Sequence, residues 1–343
     1  MPAGVDSDVF EQLMASVERF ARERLIPAER RVEEEDAIPE EIVSEMKEMG
    51  LFGLSTPEEF GGIGINVPQE ARLIEALCYA SLTFRSLIGT NVGIGSQGIV
   101  MDGTQAQKEE WLPGIASGEL RLQSMAVTEP TTGTDTTKLK TTAVKKGDRY
   151  LVNGQKVWIS RIQHSDLMIL LARTTPINEV KRKAQGLSIF MVDLKKAIGN
   201  GMRVSPIANM PGHETCEVFF DELEIPEENL IGEEGRGFYH ILDGLNAERT
   251  LIAAECIGDG YWFIDKARAY AGERIVFNRP IGQNQGVQFP LARAYVNVEA
   301  ANLMRFEACR RFDAHEECGA QANMTKLLAA DASWEAANAC LQT

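Results

Sequence analysis

Apolar residues recur at steps of three and four from residue 8 to about 122, which predicts helices with one buried stripe. "VFEQLMASVERFARERLIPAERRVEEED" (9–36) keeps this spacing, with charges on its other faces. "IPEEIVSEMKEMGLFGL" (38–54) follows, with Pro39 suited to a first turn and Gly50 to a helix end. Beyond the turn-rich "STPEEFGGIGIN", two further helical stretches run through "PQEARLIEALCYASLTF" and "TQAQKEEWLPGIASGE".

From about 123 the period shortens to two. "AVKKGDRYLVNGQKVWIS" (143–160) alternates and carries Lys-Gly-Asp and Asn-Gly, both hairpin signals. "DLMILLAR", "LSIFMVDL" and "CEVFFDELEI" read as short strands between polar loops. After "ENLIGEEGRG" the helical period returns and continues to Thr343. The order predicts an α+β chain: an N-terminal helical domain (1–122), a central β domain (123–236) and a C-terminal helical bundle (237–343).

One position breaks the helical pattern. In "LDGLNAERTLIAAE" (242–255), Ile241, Leu245, Glu248 and Ile252 share a face if the segment is helical. Glu248 therefore stands in an apolar row, with Gly244, Leu245, Leu251 and Ile252 around it and no basic partner on its own helix. That is the setting of a desolvated general base. An exposed Glu, one bonded from another helix, or a helix interrupted at Gly244 would each explain it too.

Charge and composition narrow the classes. With 343 residues, 44% hydrophobic, the chain can build substantial cores. Its net charge of -15 argues against a nucleic-acid or anionic-membrane binder. No apolar run approaches the ~20 residues of a spanning helix, and the N-terminus has neither signal-peptide nor transit-peptide character. The expectation is a cytoplasmic protein. Six scattered cysteines without a CxxC pair suit reduced thiols. His213/Cys216 and His315/Cys318 are too far apart in sequence to suggest a metal site, so none is expected. "GIGSQG" (93–98) matches a dinucleotide fingerprint in letters only, because no strand precedes it. It reads as small residues permitting close approach.

"AVTEPTTGTDTTK" (126–138) ends a strand in a turn rich in hydroxyls and backbone amides, able to bind a flat heterocycle's polar edge or a phosphate. This segment resembles the first signature of the acyl-CoA dehydrogenases. "NGQKVWIS" (153–160), "ENLIGEEGRGF" (228–238), "LNAERTLIAAE" (245–255) and "ERIVFNRPIGQNQGVQF" (273–289) resemble the same family, in the same order and over essentially the whole chain.

The resemblance implies FAD and an acyl-CoA substrate, dehydrogenated to a trans-2-enoyl-CoA. Met125, Val127 and Thr128 would lie along the isoalloxazine, Trp158 would cover one face, and Ser160 would donate to N5. Arg274 would neutralise the pyrophosphate, while Phe277 and Gln285 would contact the adenosine half, from a dimer partner. Gln342 would touch the cofactor at the chain's end. Thr134, Asn246 and Arg249 would serve the CoA. Electron-transferring flavoprotein would be the redox partner of a homodimer or homotetramer. Two departures stand out: Arg161 follows Ser160 where relatives have Asn-Gly, and Asn246 stands where an Asp is common.

The family offers two positions for the catalytic Glu. One lies in a loop beyond "WEAANACLQT", so a truncated sequence is expected; the other is the helix position of Glu248, next to Arg249. Glu255, further along, is the weaker candidate. The alternative reading is a non-catalytic subunit or acyl-CoA-binding protein of the same fold. A DNA-associated relative would need a basic surface, which 35 basic against 50 acidic residues do not supply.

Overall fold

Leu167–Arg173 is buried at every position, odd and even alike. Met168, Leu170 and Ala172 join one core, while Leu167, Ile169 and Leu171 join another that includes Ile99, Trp111 and Ile115 from helices. Both faces of this strand are covered, so its sequence is uniformly apolar instead of alternating. The computed structural model describes residues 3–209 and 215–343. These fall into two compact units, one of Val32–Gly64 and Ser86–Leu245, the other of Ala3–Arg31, Ile65–Arg85 and Asn246–Thr343.

The first unit is built on a sheet of β1 (Leu122–Ala126), β2 (Thr142–Lys146), β3 (Arg149–Ser160), β4 (Leu167–Arg173), β5 (Leu187–Asp193), β6 (Met202–Ile207), β7 (Thr215–Pro226) and β8 (Leu230–Ile231). The strand order is β6-β7-β3-β2-β4-β5-β8, with β1 parallel to β4. "GIGSQG" lies in helical turns. A Cβ on Gly95 would come within 2.4 Å of the Thr90 carbonyl, which explains the small residue there.

The two hairpin signals part ways. Lys146-Gly147-Asp148 does turn the chain between β2 and β3, with Gly147 at φ 67°. Asn153-Gly154 does not; it lies inside β3, at a register shift against β7. A Cβ on Gly154 would sit 2.7 Å from the Thr141 Cα, and Asn153 Oδ1 accepts from the Glu222 amide at 2.9 Å. The glycine serves a close strand approach and the asparagine a bulge, so the dipeptide is spent on the sheet and not on a turn.

The second unit is helical. It includes α1 (Ser7–Phe20), α4 (Val67–Leu77), most of α5 (Leu82–Ser86) and of α9 (Gly237–Glu273), α10 (Gln285–Asp313) and α11 (Gly319–Gln342). Helices α3 (Glu40–Glu48), α6 (Ser96–Asp102), α7 (Gln105–Ser117) and α8 (Leu194–Ala197) belong to the first unit, and α2 (Ile26–Glu35) is divided between the two. The core between α9, α10 and α11 is mostly alanine with Ile257, Ile264 and Val298, so these helices approach closely. Among the described residues no helix is long and apolar enough to cross a membrane.

Candidate active site

In the first unit, the sequence-predicted residues cluster where β1 gives way to a loop beside β3. Met125, Val127, Thr128 and Ser160 are half-buried, while Thr134 is exposed in the Gly-Thr-Asp turn. What holds this loop is an ion pair the sequence did not announce. Lys156 Nζ, fully buried, donates to Glu129 Oε1 at 3.1 Å and to the Val127 carbonyl at 2.8 Å. Glu129 also accepts from the Lys140 and Thr141 amides at 2.7 and 2.8 Å. Burial pulls Lys156 down to about 8, against the upward pull of Glu129. The Val157 amide completes the tie by donating to the Thr128 carbonyl at 3.0 Å.

Those bonds lead directly to Trp158. Its neighbours lie at a second register shift of β3 against β7, its φ is 62°, and its side chain is 61% exposed. A left-handed backbone at a bulky residue costs on the order of 1–3 kcal/mol and persists where the surroundings impose it. An indole held out in this way is a platform for a flat ligand. Arg161 is left-handed too, at φ 56°, and is buried with its Nε 3.1 Å from Gln123 Oε1. Asparagine or glycine would meet the backbone demand more easily, so the buried contact of the arginine side chain with Gln123 has to offset the strain.

Beneath the β1 end runs a narrow apolar slot lined by Ile94, Gly98, Met101, Met125, Ile241 and Gly244 among others. A Cβ on Gly98 would meet nothing within 4 Å.

In the second unit, α9 is continuous through Gly244, so the register that puts Glu248 in an apolar row holds. Its partner comes from another helix. Arg85 of α5, with a side chain 8% exposed, places Nη2 3.5 Å from Glu248 Oε1 and Nε 2.6 Å from Glu255 Oε1. The second approach is an ion contact without hydrogen-bond alignment. Among the described residues Glu248 Oε2 is buried with no hydrogen-bond partner. A buried, unpaired carboxylate oxygen is costly unless something uses it. Burial pushes Glu255 up to about 7; Arg85 opposes the shift and Glu248 adds to it. The same two carboxylates raise Arg85 further, against its burial.

Asn246 and Arg249 meet each other, Arg249 Nη1 donating to Asn246 Oδ1 at 2.8 Å. Past α9, β9 (Ile275–Val276) and β10 (Arg279–Pro280) form a two-stranded hairpin. Its tip residues Phe277 and Asn278 have φ of 51° and 61°, and Phe277 is 94% exposed. Two positive φ values suit a tight hairpin, but phenylalanine is an unusual occupant. Arg274, Gln285 and Gln342 are exposed as well. Sequence reasoning missed Arg85, Lys156 and Glu129 as site residues; only the basic residues' positions inside apolar stretches signalled them. Among the described residues no group of three His, Cys, Asp or Glu side chains is placed to hold a metal; His213 lies outside them.

Comparison with known proteins agrees over the whole length. Family profiles for the acyl-CoA dehydrogenase N-terminal, middle and C-terminal domains match residues 7–119, 124–223 and 235–343. An acyl-CoA dehydrogenase of Bacillus subtilis is 34% identical over 95% of this chain and 86% of its own. (2S)-Methylsuccinyl-CoA dehydrogenase of Cereibacter sphaeroides is 35% identical over 99% of this chain and 63% of its own. The structure of a glutaryl-coenzyme A dehydrogenase in complex with glutaryl-CoA superposes with a TM-score of 0.91 at 29% identity, covering 100% of this chain and 86% of that one. The chain belongs to the acyl-CoA dehydrogenase family, a family of flavoprotein oxidoreductases.

Proposed function

We propose that this protein removes the α-proton and β-hydride of an acyl-CoA thioester, giving a trans-2-enoyl-CoA. The observation that carries this reading is Glu248, a carboxylate on an apolar helix face with one oxygen buried and unpaired. In this reading Glu248 takes the α-proton. Bound FAD would supply the hydride acceptor. Trp158 would shield one ring face from water, Thr128 and Ser160 would bond the ring's polar edge, and Met125 and Val127 would flank it. The exposed, backbone-strained Trp158 fits that role, because a ring-sized ligand would cover it.

Arg274, Phe277, Gln285 and Gln342 would contact the cofactor of a partner subunit. Their exposure supports this, as do the large apolar side chains left open on α10 and α11, Leu303 at 71%, Leu327 at 61% and Trp334 at 75%. A homodimer or homotetramer is therefore part of the reading. So are electron-transferring flavoprotein as acceptor and action in the cytoplasm. Thr134, Asn246 and Arg249 would hold the CoA.

For the acyl group we propose the slot at Gly98, whose narrowness favours a short or branched chain. The test is anaerobic addition of short, long and branched acyl-CoAs to the purified yellow protein. Bleaching by a short or branched member is expected. Glu248→Gln should retain FAD and lose at least roughly a thousandfold in bleaching rate, within the range general-base removal produces. Near-full activity of that variant would overturn the base assignment.

A further inference from the structure

A cavity of about 340 Å³ opens within the helical unit, between α1, α4, α9 and α10. Its size falls in the range of small-molecule sites, ~300–1,000 Å³. None of the residues that line it is one proposed to act as base or to hold flavin or CoA.

The floor comes from α10, where Asn302 and Arg305 lie three residues apart on one face. Arg305 is 1% exposed. Its Nη1 donates to the Ala71 carbonyl at 2.9 Å, and its Nη2 stands 2.7 Å from Glu75 Oε2. Among the described residues neither Nε nor Nη2 makes an aligned hydrogen bond. Asn302 Nδ2 donates to the Tyr261 hydroxyl oxygen at 3.0 Å, and that hydroxyl donates to Glu299 Oε1 at 2.7 Å. This chain of donors fixes the amide and leaves Asn302 Oδ1 buried with no donor among the described residues. Unpaired buried polar atoms are destabilising, and leucine or methionine would fill both positions without that cost. A ligand that satisfies the floor carries an acceptor and a donor close together.

The charges choose among such ligands. The floor holds one of each sign, Arg305 and Glu75. The mouth holds another of each: Arg22, 5.6 Å from the centroid of the Tyr79 ring, and Glu18, one turn away. Both are exposed, and neither has an ion pair among the described residues. Arg72, the remaining charge in the wall, is taken by Glu11 at 2.8 Å. A simple anion would meet two carboxylates here and a simple cation two guanidiniums, whereas a neutral dipole matches both. Met14, Ala21, Ala76 and Phe306 add apolar wall.

We propose that this cavity binds a free α-amino acid with an apolar side chain. Its carboxylate accepts from Arg305 Nε, its ammonium donates to Asn302 Oδ1, and its side chain lies along the apolar wall. The proposal is independent of the dehydrogenase reading.

The test is isothermal titration calorimetry of the purified full chain. The probes are L-leucine, 4-methylpentanoate, which lacks the ammonium, and 3-methylbutylamine, which lacks the carboxylate. L-Leucine should bind saturably at one site. Each analogue should bind at least roughly tenfold more weakly, as loss of a charge-assisted hydrogen bond brings. Asn302→Leu removes the orphaned acceptor, so it should melt no lower than wild type yet bind leucine at least roughly tenfold more weakly. Arg305→Met alone would orphan Glu75, so Arg305→Met/Glu75→Gln removes both charges together and should bind no leucine. Three results overturn the proposal: no binding at millimolar leucine, 4-methylpentanoate binding as tightly as leucine, or undiminished leucine binding by folded Asn302→Leu. The first would assign the orphaned atoms to ordered water.

Discussion

Lys156→Met removes the cation beneath the loop that carries Val127 and Thr128, leaving a side chain of similar length. Two losses follow. Glu129, about 5% exposed, keeps its charge without its ammonium partner, and the Val127 carbonyl loses its donor. Breaking a buried pair from one side costs about 3–5 kcal/mol. Glu129 retains the Lys140 and Thr141 amides, which should hold the cost near the lower end, about 3 kcal/mol. The assay is urea unfolding followed by far-ultraviolet circular dichroism, alongside fluorescence of released FAD. We expect a lower unfolding midpoint and weaker FAD retention, since the freed loop is the one proposed to bond the ring edge. The double variant Lys156→Met/Glu129→Gln should recover part of the loss, as removing both charges leaves no orphan. A Lys156→Met protein within about 0.5 kcal/mol of wild type would refute the reasoning, since that is the ordinary range of surface changes.

Three further expectations follow from the same geometry. Glu255 is raised in the folded state, so its contribution to stability is full below about 4.3 and disappears as pH rises through about 7. Glu255→Gln should therefore gain on wild type by up to roughly 3 kcal/mol between pH 4 and 8 in denaturant titrations, and a pH-independent difference would contradict this. Gly98→Ala should be tolerated, even stabilised by roughly 1 kcal/mol from helix propensity, because its Cβ meets open space. It should also shift acyl-CoA preference toward smaller groups, so an unchanged panel would remove the slot from consideration. Arg274→Gln should weaken FAD binding by at least roughly tenfold with stability unchanged, as expected for loss of an exposed charge-assisted contact to a diphosphate. Equal FAD affinity by fluorescence titration would exclude the pyrophosphate role.

Much of the architecture was legible because it depends on local periodicity. The three- and four-step spacing of residues 9–36 and the apolar runs at β4 and β5 follow from which faces meet water, and burial of one stripe or two is written residue by residue. The Glu248 register was legible for the same reason, since a single helix fixes it. Turn chemistry was only partly readable. Lys146-Gly147-Asp148 turned as expected, but Asn153-Gly154 was taken up by a strand whose neighbour, Thr141, leaves no room for a side chain.

What the sequence determined by itself is thus the order of helical and strand regions, the anomalous acid, and the motifs that carry the family resemblance. Only the tertiary structure decided which charges meet. Arg85 reaches Glu248 across 163 residues, and Lys156 reaches back 27 to Glu129. Neither pairing follows from spacing, because a buried charge takes its partner from whichever chain segment packs against it. The left-handed backbone at Trp158 is likewise set by the bulge against β7 and by the bonds from Lys156 and Val157, not by tryptophan's own preference. Local patterning chooses elements; desolvation, acting between elements distant in sequence, chooses the partners of buried charges.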